Sequence, residues 1–396
     1  MTLRDRLKKE IPRSWFIAII IGGICGIAIL GIVAWYSLGF GTAQCGLPPA
    51  DITVMKLGPD GSVQWQARID SGEDDTADGI VPASDGGYLL SGRNDYRTHL
   101  PAARLIRLNS SGGVEWDRFS PEYKGTFTGL FSGPDGGFFA GTMLPGRIIV
   151  LDAEGNVSRE IPFADYAYAS YISPASDGGF FVLAENLSAR NSVLMSLDPD
   201  GREHWRHEAL SLIALHDPPI LAASDGGCLA GGYADDVREL NYIRFDNRGN
   251  VMWNATLGQS WDNRPVLMAE VRPGTFEIFY ESARKSDAAN ILETYSVTFD
   301  DNGTVLHQQM PDISPPITQI SGQDYLAARF RAKDAGSLYG YGTPDFIVRL
   351  RDDGTFAWQT PVPSGWHSVI RIVPTSDGGA VVLGSAWQRE KIFSCL

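Results

Sequence analysis

The sequence predicts an all-β fold: a seven-bladed β-propeller with four-stranded blades, preceded by one N-terminal transmembrane α-helix. Three observations carry this prediction. An Asp-Gly-Gly motif recurs along the chain, a Gly-to-Trp motif is interleaved with it, and an uncharged apolar run stands near the N-terminus. The first motif reads Ala83-Ser84-Asp85-Gly86-Gly87. It returns at Asp135-Gly136-Gly137, Asp177-Gly178-Gly179, Asp225-Gly226-Gly227 and Asp377-Gly378-Gly379, with worn copies at Pro273-Gly274 and Gly322-Gln323-Asp324. The first glycines fall at 86, 136, 178, 226, 274, 322 and 378, which is seven repeats. Glycine makes up 44 of 396 residues, an excess without a collagen period that implies many tight turns.

The second motif is an apolar strand, a polar turn with Gly, and Trp four residues after that Gly. It gives Gly61 and Trp65, Gly112 and Trp116, Gly201 and Trp205, Gly249 and Trp253, and Gly354 and Trp358. Arg159 and His307 stand where two copies lose the Trp. Asp-Gly and Gly-Gly supply the positive φ of tight hairpin turns. The flanking segments are short, β-branched or aromatic, and mostly alternating. Each repeat therefore reads as two hairpins. Strands A and B join through Asp-Gly-Gly, strands C and D through the Gly-to-Trp turn, and A is innermost. A four-stranded repeat of this length is a propeller blade. One blade cannot cover both faces of its own sheet, whereas a ring of blades can.

The frame of the repeat fixes how the ring closes. A C–D pair at 51–69 comes first. Six whole blades begin near 78, 127, 169, 217, 266 and 316, and an A–B pair at 368–385 comes last. Two strands from each end then make the seventh blade. The tail 391–396 reads as one more C strand and competes for that slot.

The Gly-to-Trp spacing with its acidic turn resembles the tryptophan-docking motif of quinoprotein-like (PQQ-like) propellers. Combined with Asp-Gly-Gly, it resembles prokaryotic, especially archaeal, cell-surface repeat propellers. The resemblance covers 51–386 and implies the fold. Quinone-binding members use an adjacent cysteine pair and a calcium cluster. The four cysteines here (Cys25, Cys45, Cys228, Cys395) are all separated, and seven repeats replace the usual eight, so no quinone cofactor is expected.

Four segments follow from charge and hydropathy: a basic tail (1–14), a transmembrane helix (15–40), a linker (41–50) and the propeller (51–396). The tail carries Arg4, Arg6, Lys8, Lys9 and Arg13 against Asp5 and Glu10. Residues 15–40 carry no charge, have Trp15 at one end and Trp35 and Tyr36 near the other, and are long enough to cross a bilayer. The positive-inside rule places the N-terminus in the cytoplasm and the propeller outside a cell membrane that the chain crosses once. A cleaved signal peptide is the competing reading, with Gly41-Thr42-Ala43 as its cut site. Its apolar core would, however, exceed the usual ~7–15 residues. Gln44 is not the small residue that lipidation of Cys45 would want. The whole chain is −14 and residues 1–14 are +3, so the remainder is −17. Such an acidic body repels nucleic acid, and no nucleic-acid partner is expected.

No residue pattern marks catalysis, and no catalytic, cofactor or metal residue is assigned. The docking tryptophans read as packing between blades rather than as sugar-stacking platforms. Acidic turns such as Asp198-Pro199-Asp200-Gly201 and Asp300-Asp301-Asn302-Gly303 resemble partial calcium loops, but turn chemistry explains them. His204 and His207 flank Trp205 and face opposite sides of a strand, which does not suit one metal. Cys228 reads as a buried small hydrophobe. Cys45 and Cys395 flank the closing blade, where an oxidising exterior would let them pair. Asn109, Asn156, Asn186, Asn254 and Asn302 are N-glycosylation sequons.

The A–B and C–D turns share one rim and are regular. The B–C and D–A connections share the other rim and vary, which is where binding usually sits. The expected partner surface on that rim is Tyr96, His99, Tyr233, Trp261, Tyr280, Arg329, Arg331, Tyr339, Tyr341, Trp366 and Trp387. The short linker ties the same rim to the membrane. The function expected is a non-enzymatic binding or scaffold protein at the cell surface, with a protein or glycan partner. The alternatives are an enzyme on extracellular polysaccharide using carboxylates in the funnel, and a structural surface-layer component.

Overall fold

Both families of turn close hairpins at the expected places. The computed structural model describes residues 50–71, 75–94, 102–144, 146–163, 169–186, 191–210, 220–233, 239–257, 263–285, 290–322, 324–330 and 344–387. The basic tail 1–14, the apolar run 15–40, linker residues 41–49 and the tail 388–396 lie outside these, as do Cys45 and Cys395. No helix among the described residues is long and apolar enough to cross a membrane.

The chain enters blade 7 with its C and D strands, β1 (Ala50–Leu57) and β2 (Val63–Ile69). Blade 1 is β3 (Asp75–Pro82), β4 (Tyr88–Asn94), β5 (Ala102–Leu108) and the first part of β6 (Val114–Ser132). Blade 2 takes the second part of β6, then β7 (Phe138–Leu144), β8 (Arg147–Leu151) and β9 (Val157–Pro162). Blade 3 is β10 (Ala169–Pro174), β11 (Phe180–Asn186), β12 (Asn191–Leu197) and β13 (Glu203–Leu210). Blade 4 is β14 (Ile220–Ala222), β15 (Cys228–Tyr233), β16 (Leu240–Phe245) and β17 (Val251–Leu257). Blade 5 is β18 (Asn263–Arg272), β19 (Thr275–Lys285), β20 (Asn290–Phe299) and β21 (Val305–Gln309). Blade 6 is β22 (Ser314–Ser321), β23 (Asp324–Arg329), β24 (Phe346–Leu350) and β25 (Phe356–Pro361). Then β26 (Trp366–Pro374) and β27 (Ala380–Trp387) return to blade 7 as its A and B strands.

The closing sheet has the order β2-β1-β27-β26. Strand β1 pairs with β27 along its whole length, from Ala50 opposite Trp387 to Leu57 opposite Ala380, and all of β1 is buried. The A strands touch in a closed cycle, from β26 through β3, β6, β10, β14, β18 and β22 back to β26. This makes A the inner strand and seals the ring. One detail departs from the sequence reading. Blades 1 and 2 form one seven-stranded sheet, because strand D of blade 1 continues directly into strand A of blade 2 as β6. A register shift between Lys124 and Phe127 absorbs the change of partner.

Each docking tryptophan lies over the positive-φ glycine of the next blade's C–D turn. A Cβ built on Gly112 would meet the Trp65 ring at 2.6 Å, one on Gly155 the Trp116 ring at 2.4 Å, and one on Gly249 the Trp205 ring at 2.7 Å. The same holds for Gly303 under Trp253 (2.8 Å) and, across the closure, Gly61 under Trp358 (2.7 Å). The indole Nε1 of Trp65, Trp205 and Trp358 donates to a carbonyl of the neighbouring turn, on Ser110, Asn247 and Pro59 respectively. Where blade 2 lacks the Trp, Arg159 Nη2 donates to the equivalent Pro199 carbonyl at 2.6 Å and Ile161 covers Gly201. Where blade 5 has His307, nothing lies within 4 Å of a Cβ on Gly354.

Beneath the Asp-Gly-Gly turns sits a clamp that neither repeat motif contains. The next-to-last residue of strand C is basic in four blades: Lys56, Arg107, Arg244 and Arg349. Lys56, Arg107 and Arg244 are buried. They reach over strand B to the turn carboxylate, with Lys56 Nζ 2.7 Å from Asp377, Arg107 Nη2 2.6 Å from Asp85, and Arg244 Nη2 2.7 Å from Asp225. Arg349 pairs with Asp324 at 3.1 Å in the worn turn of blade 6. The second glycine of the motif leaves room for the cation. A Cβ on Gly87, Gly227 or Gly379 would lie 2.6, 2.4 or 2.8 Å from its nitrogen.

Burial would raise the Asp377 carboxyl, but hydrogen bonds from Lys56, Thr375 and Gly379 outweigh it and hold the group down at about 2. An unfolded aspartate titrates near ~3.9. The stabilisation is therefore complete above about pH 4 and lost as pH falls through about 2. Denaturant unfolding should show stability declining across that window, with Asp377→Asn removing blade 7's share of the decline. At neutral pH Asp377→Ala, which strands a buried ammonium, should cost roughly 1–2 kcal/mol more than Lys56→Met, which leaves a half-exposed carboxylate.

Candidate functional site: the loop-rich rim

The B–C and D–A connections open on the rim opposite the regular turns, and the two chain ends of the propeller meet there in blade 7. Trp366 starts β26 and is buried, with its ring against Gly384, where a Cβ would lie 2.5 Å from the indole. A bulge between Trp366 and Ser368 re-aims the next two side chains. Ser385 Oγ then lies 2.6 Å from Ser368 Oγ and 2.9 Å from His367 Nε2. The His367 ring stacks on Trp387, with centroids 4.1 Å apart at 22°. In atom types this is a nucleophile–base pair. In access it is not, since Ser385 is 7% exposed and lies in the sheet opposite Ile52. The arrangement pins the bulge and holds Trp387, which is half-buried, at the rim.

An ion-pair network continues from blade 7 into blade 1. Arg68 pairs with the buried Asp51 and donates to the Trp387 carbonyl at 3.2 Å. Asp75, also fully buried, accepts hydrogen bonds from Ser71 N (2.8 Å) and Ser71 Oγ (2.7 Å) and pairs with Arg104. Arg104 also forks onto Asp117, with Nε 2.8 Å from Oδ1, and covers the Phe119 ring. Burial alone would weaken the protonation of Arg104, but Asp117 and Asp75 outweigh it and hold the guanidinium charged. Carboxylate oxygens of Asp51, Asp70 and Asp75 come within 4.8 Å of one another, close enough to share a cation. Arg68 and Arg104 already supply the compensating charge there, so the group reads as an ion-pair network.

Two other places on this rim hold expected residues. Between blades 4 and 5, Tyr233 donates to the Asn263 carbonyl at 2.6 Å, and Tyr280 stacks on Tyr295 at 5.4 Å. Tyr233 and Tyr280 are buried beside the fully buried Tyr242, and desolvation pushes the Tyr242 and Tyr280 hydroxyls upward, so both stay neutral. In blade 6, Arg329 pairs with Asp312 at 2.6 Å, donates to Gln359 at 2.8 Å and lies over Phe356. Of the expected partner residues, then, Tyr233, Tyr280 and Trp366 belong to the core, while Arg329 and Trp387 are half-buried at the rim. Tyr96, His99, Trp261, Arg331, Tyr339 and Tyr341 lie outside the described residues.

The sequons differ in how their amides are used. Asn109 Oδ1 accepts from Ser111 N, Ser111 Oγ and Gly113 N. Asn156 is held by Arg118 and donates to Asp152. Asn254 and Asn302 are exposed, and Asn186 ends β11. Cys228 is buried, and desolvation pushes its thiol upward, as suits an inert packing residue.

No family model and no curated protein matches this sequence. Solved structures do match, and they are β-propellers. A catalytically inactive virginiamycin B lyase from Staphylococcus aureus with quinupristin is 12% identical, with a TM-score of 0.51 over 84% of this chain and 99% of that one. A streptogramin B lyase is 14% identical, with a TM-score of 0.50 over 85% of this chain and 98% of that one. Hydrazine synthase from Kuenenia stuttgartiensis is 12% identical, with a TM-score of 0.51 over 78% and 95%. At these identities the likeness shows the fold alone.

The network makes a direct prediction. Arg104→Met removes the cation from a fully buried carboxylate and should destabilise the propeller by about 3–5 kcal/mol in urea unfolding. Adding Asp75→Asn to that variant should recover most of the loss.

Proposed function

We propose that this chain is a membrane-anchored, extracytoplasmic propeller of the quinoprotein-like type that acts as a non-enzymatic binding scaffold at the cell surface. The apolar run 15–40 is the anchor, and the loop-rich rim takes a protein or glycan partner. One observation carries the non-enzymatic reading. Among the described residues, the inner strands hold three acidic side chains, Asp75 and Asp78 in blade 1 and Glu270 in blade 5. Two of the three are engaged in structural contacts. Asp75 is buried under Arg104, and Glu270 caps turns by accepting from Ser224 and Gly274. Hydrogen bonds and neighbouring arginines hold the carboxyls of Asp85, Glu160 and Asp225 below their ordinary range, which suits ion-pair roles and not a general acid held protonated near neutral pH.

The half-exposed rim residues Trp387 and Arg329 point to where a partner would sit. In intact cells, a thiol placed by Ser62→Cys on an exposed regular turn should react with a membrane-impermeant maleimide, and one placed by Thr2→Cys should not, both in a Cys45→Ser, Cys395→Ser background. A photo-crosslinking residue at position 387 should capture an envelope protein or glycan, whereas one at the regular-turn position 110 should not. Labelling from the cytoplasmic side alone, or equal capture from both rims, would contradict the proposal.

A further inference from the structure

The outermost strand of every blade has one edge that pairs with no strand among the described residues, which is an aggregation hazard unless it is managed. Four blades manage it with charge. Strand D holds Arg68 in blade 7, Glu115, Asp117 and Arg118 in blade 1, Arg159 and Glu160 in blade 2, and Glu203, Arg206 and Glu208 in blade 3. Blade 6 has no charge on β25, but Arg329 lies over its Phe356 and Thr360 Oγ1 is tied to the Gly61 carbonyl.

Blades 4 and 5 have neither device. Strand β17 (Val-Met-Trp-Asn-Ala-Thr-Leu) and strand β21 (Val-Leu-His-Gln-Gln) contain no Asp, Glu, Lys or Arg, and every residue of β21 is exposed. Val251 and Met252 are 53% and 42% exposed, and Val305, Leu306 and Met310 are 53%, 57% and 54%. These make up most of the large exposed hydrophobics among the described residues. Four of them lie on the outer strands of two adjacent blades, and Met310 directly follows β21.

The same two strands carry the two sequons whose third residue is Thr: Asn254-Ala255-Thr256 within β17, and Asn302-Gly303-Thr304 in the turn that opens β21. Asn109, Asn156 and Asn186 all have Ser in that place. Both Asn254 and Asn302 are exposed, and neither side chain hydrogen-bonds to another described residue, in contrast to Asn109 and Asn156. We infer that Asn254 and Asn302 are glycosylated and that their saccharides cover the uncharged outer edge of blades 4 and 5. The inference rests on the propeller being outside the cytoplasm. In the transfer, the asparagine Nδ2 forms a bond to the anomeric carbon of a lipid-phosphate-linked saccharide. The bond from that carbon to the phosphate oxygen breaks, the phosphate leaves with the electron pair, and the amide gives up one proton. A hydrophilic chain beside an edge strand then does sterically what Arg, Glu and Asp do on the other blades.

The test uses the full chain, solubilised from the membranes of cells that express it naturally. Glycopeptide mass spectrometry should find saccharide on Asn254 and Asn302 at several-fold higher occupancy than on Asn109 or Asn156. The Asn254→Gln, Asn302→Gln double variant should keep its melting temperature but sediment as a dimer or larger species at concentrations where the native chain is monomeric. Adding Leu306→Lys should return it to the monomer. The Ser62→Cys label, which leaves all five sequons intact, is read on the same cells. Bare Asn254 and Asn302 on a chain labelled from outside overturn the glycan inference and leave the location reading standing, whereas a chain not labelled from outside overturns the location first. A glycosylated chain whose double variant stays monomeric overturns the shielding role.

Discussion

Everything in this molecule depends on covering both faces of a four-stranded sheet. Each blade carries apolar side chains on both faces, so it is stable between two neighbours and unstable alone. The arrangement works if no blade is terminal, and the seventh blade meets that condition by taking two strands from each end of the propeller. Strand β1 slots between β27 and β2, and its Val54 and Met55 face different core clusters, one shared with blade 1 and the other with blade 6. The same seam brings Asp51, Arg68, Asp75, Arg104 and Trp387 together, so closure also builds the most charged corner of the loop-rich rim.

The repeat supplies two local devices that make the closure worth forming. The indole of strand D covers the turn glycine of the next blade and, in three blades, also satisfies a carbonyl there. The cation of strand C ties the Asp-Gly-Gly turn of its own blade from inside. One device joins neighbouring blades and the other stiffens each blade. Arg159 shows that the first is defined by chemistry and position rather than by tryptophan, since it donates to the same turn carbonyl where the indole is missing. The outer wall follows a different logic. There the issue is what an unpaired edge presents to water, and blades 7, 1, 2 and 3 answer it with charges that blades 4 and 5 lack.

The blades, their hairpins and the shared seventh blade were legible because positive-φ glycine leaves a fixed mark in sequence and recurs once per blade. The fused strand β6 was not. The repeat frame starts blade 2 near 127, and whether the stretch before it continues the preceding strand depends on partners at Ala102 and Leu144. The buried clamp was visible in principle as a basic residue inside an apolar run, as in Met55-Lys56-Leu57 and Ile243-Arg244-Phe245, but its partner is a turn far away in sequence. Tyr233, Tyr280 and Trp366 lie near strand ends, which suggested the rim. Their burial is set by the adjacent blade or by a glycine such as Gly384, neither of which periodicity reveals. The contact of His367 with Ser385 depends on a one-residue bulge, so it had no signal in sequence at all.

Indole-on-glycine docking between blades holds the ring together, and three glycines isolate its contribution. Gly112, Gly249 and Gly354 have nearly the same backbone, with φ of 85°, 81° and 79°, so alanine strains each alike, at roughly 1–2 kcal/mol. They differ in what an added methyl would meet: Trp65 at 2.6 Å, Trp205 at 2.7 Å, and nothing within 4 Å. Unfolding free energies of the three Gly→Ala variants measure the difference directly. If docking holds the blades, Gly112→Ala and Gly249→Ala each lose about 1–3 kcal/mol more than Gly354→Ala. Equal losses at all three would mean that the tryptophans decorate the turns without holding the blades together.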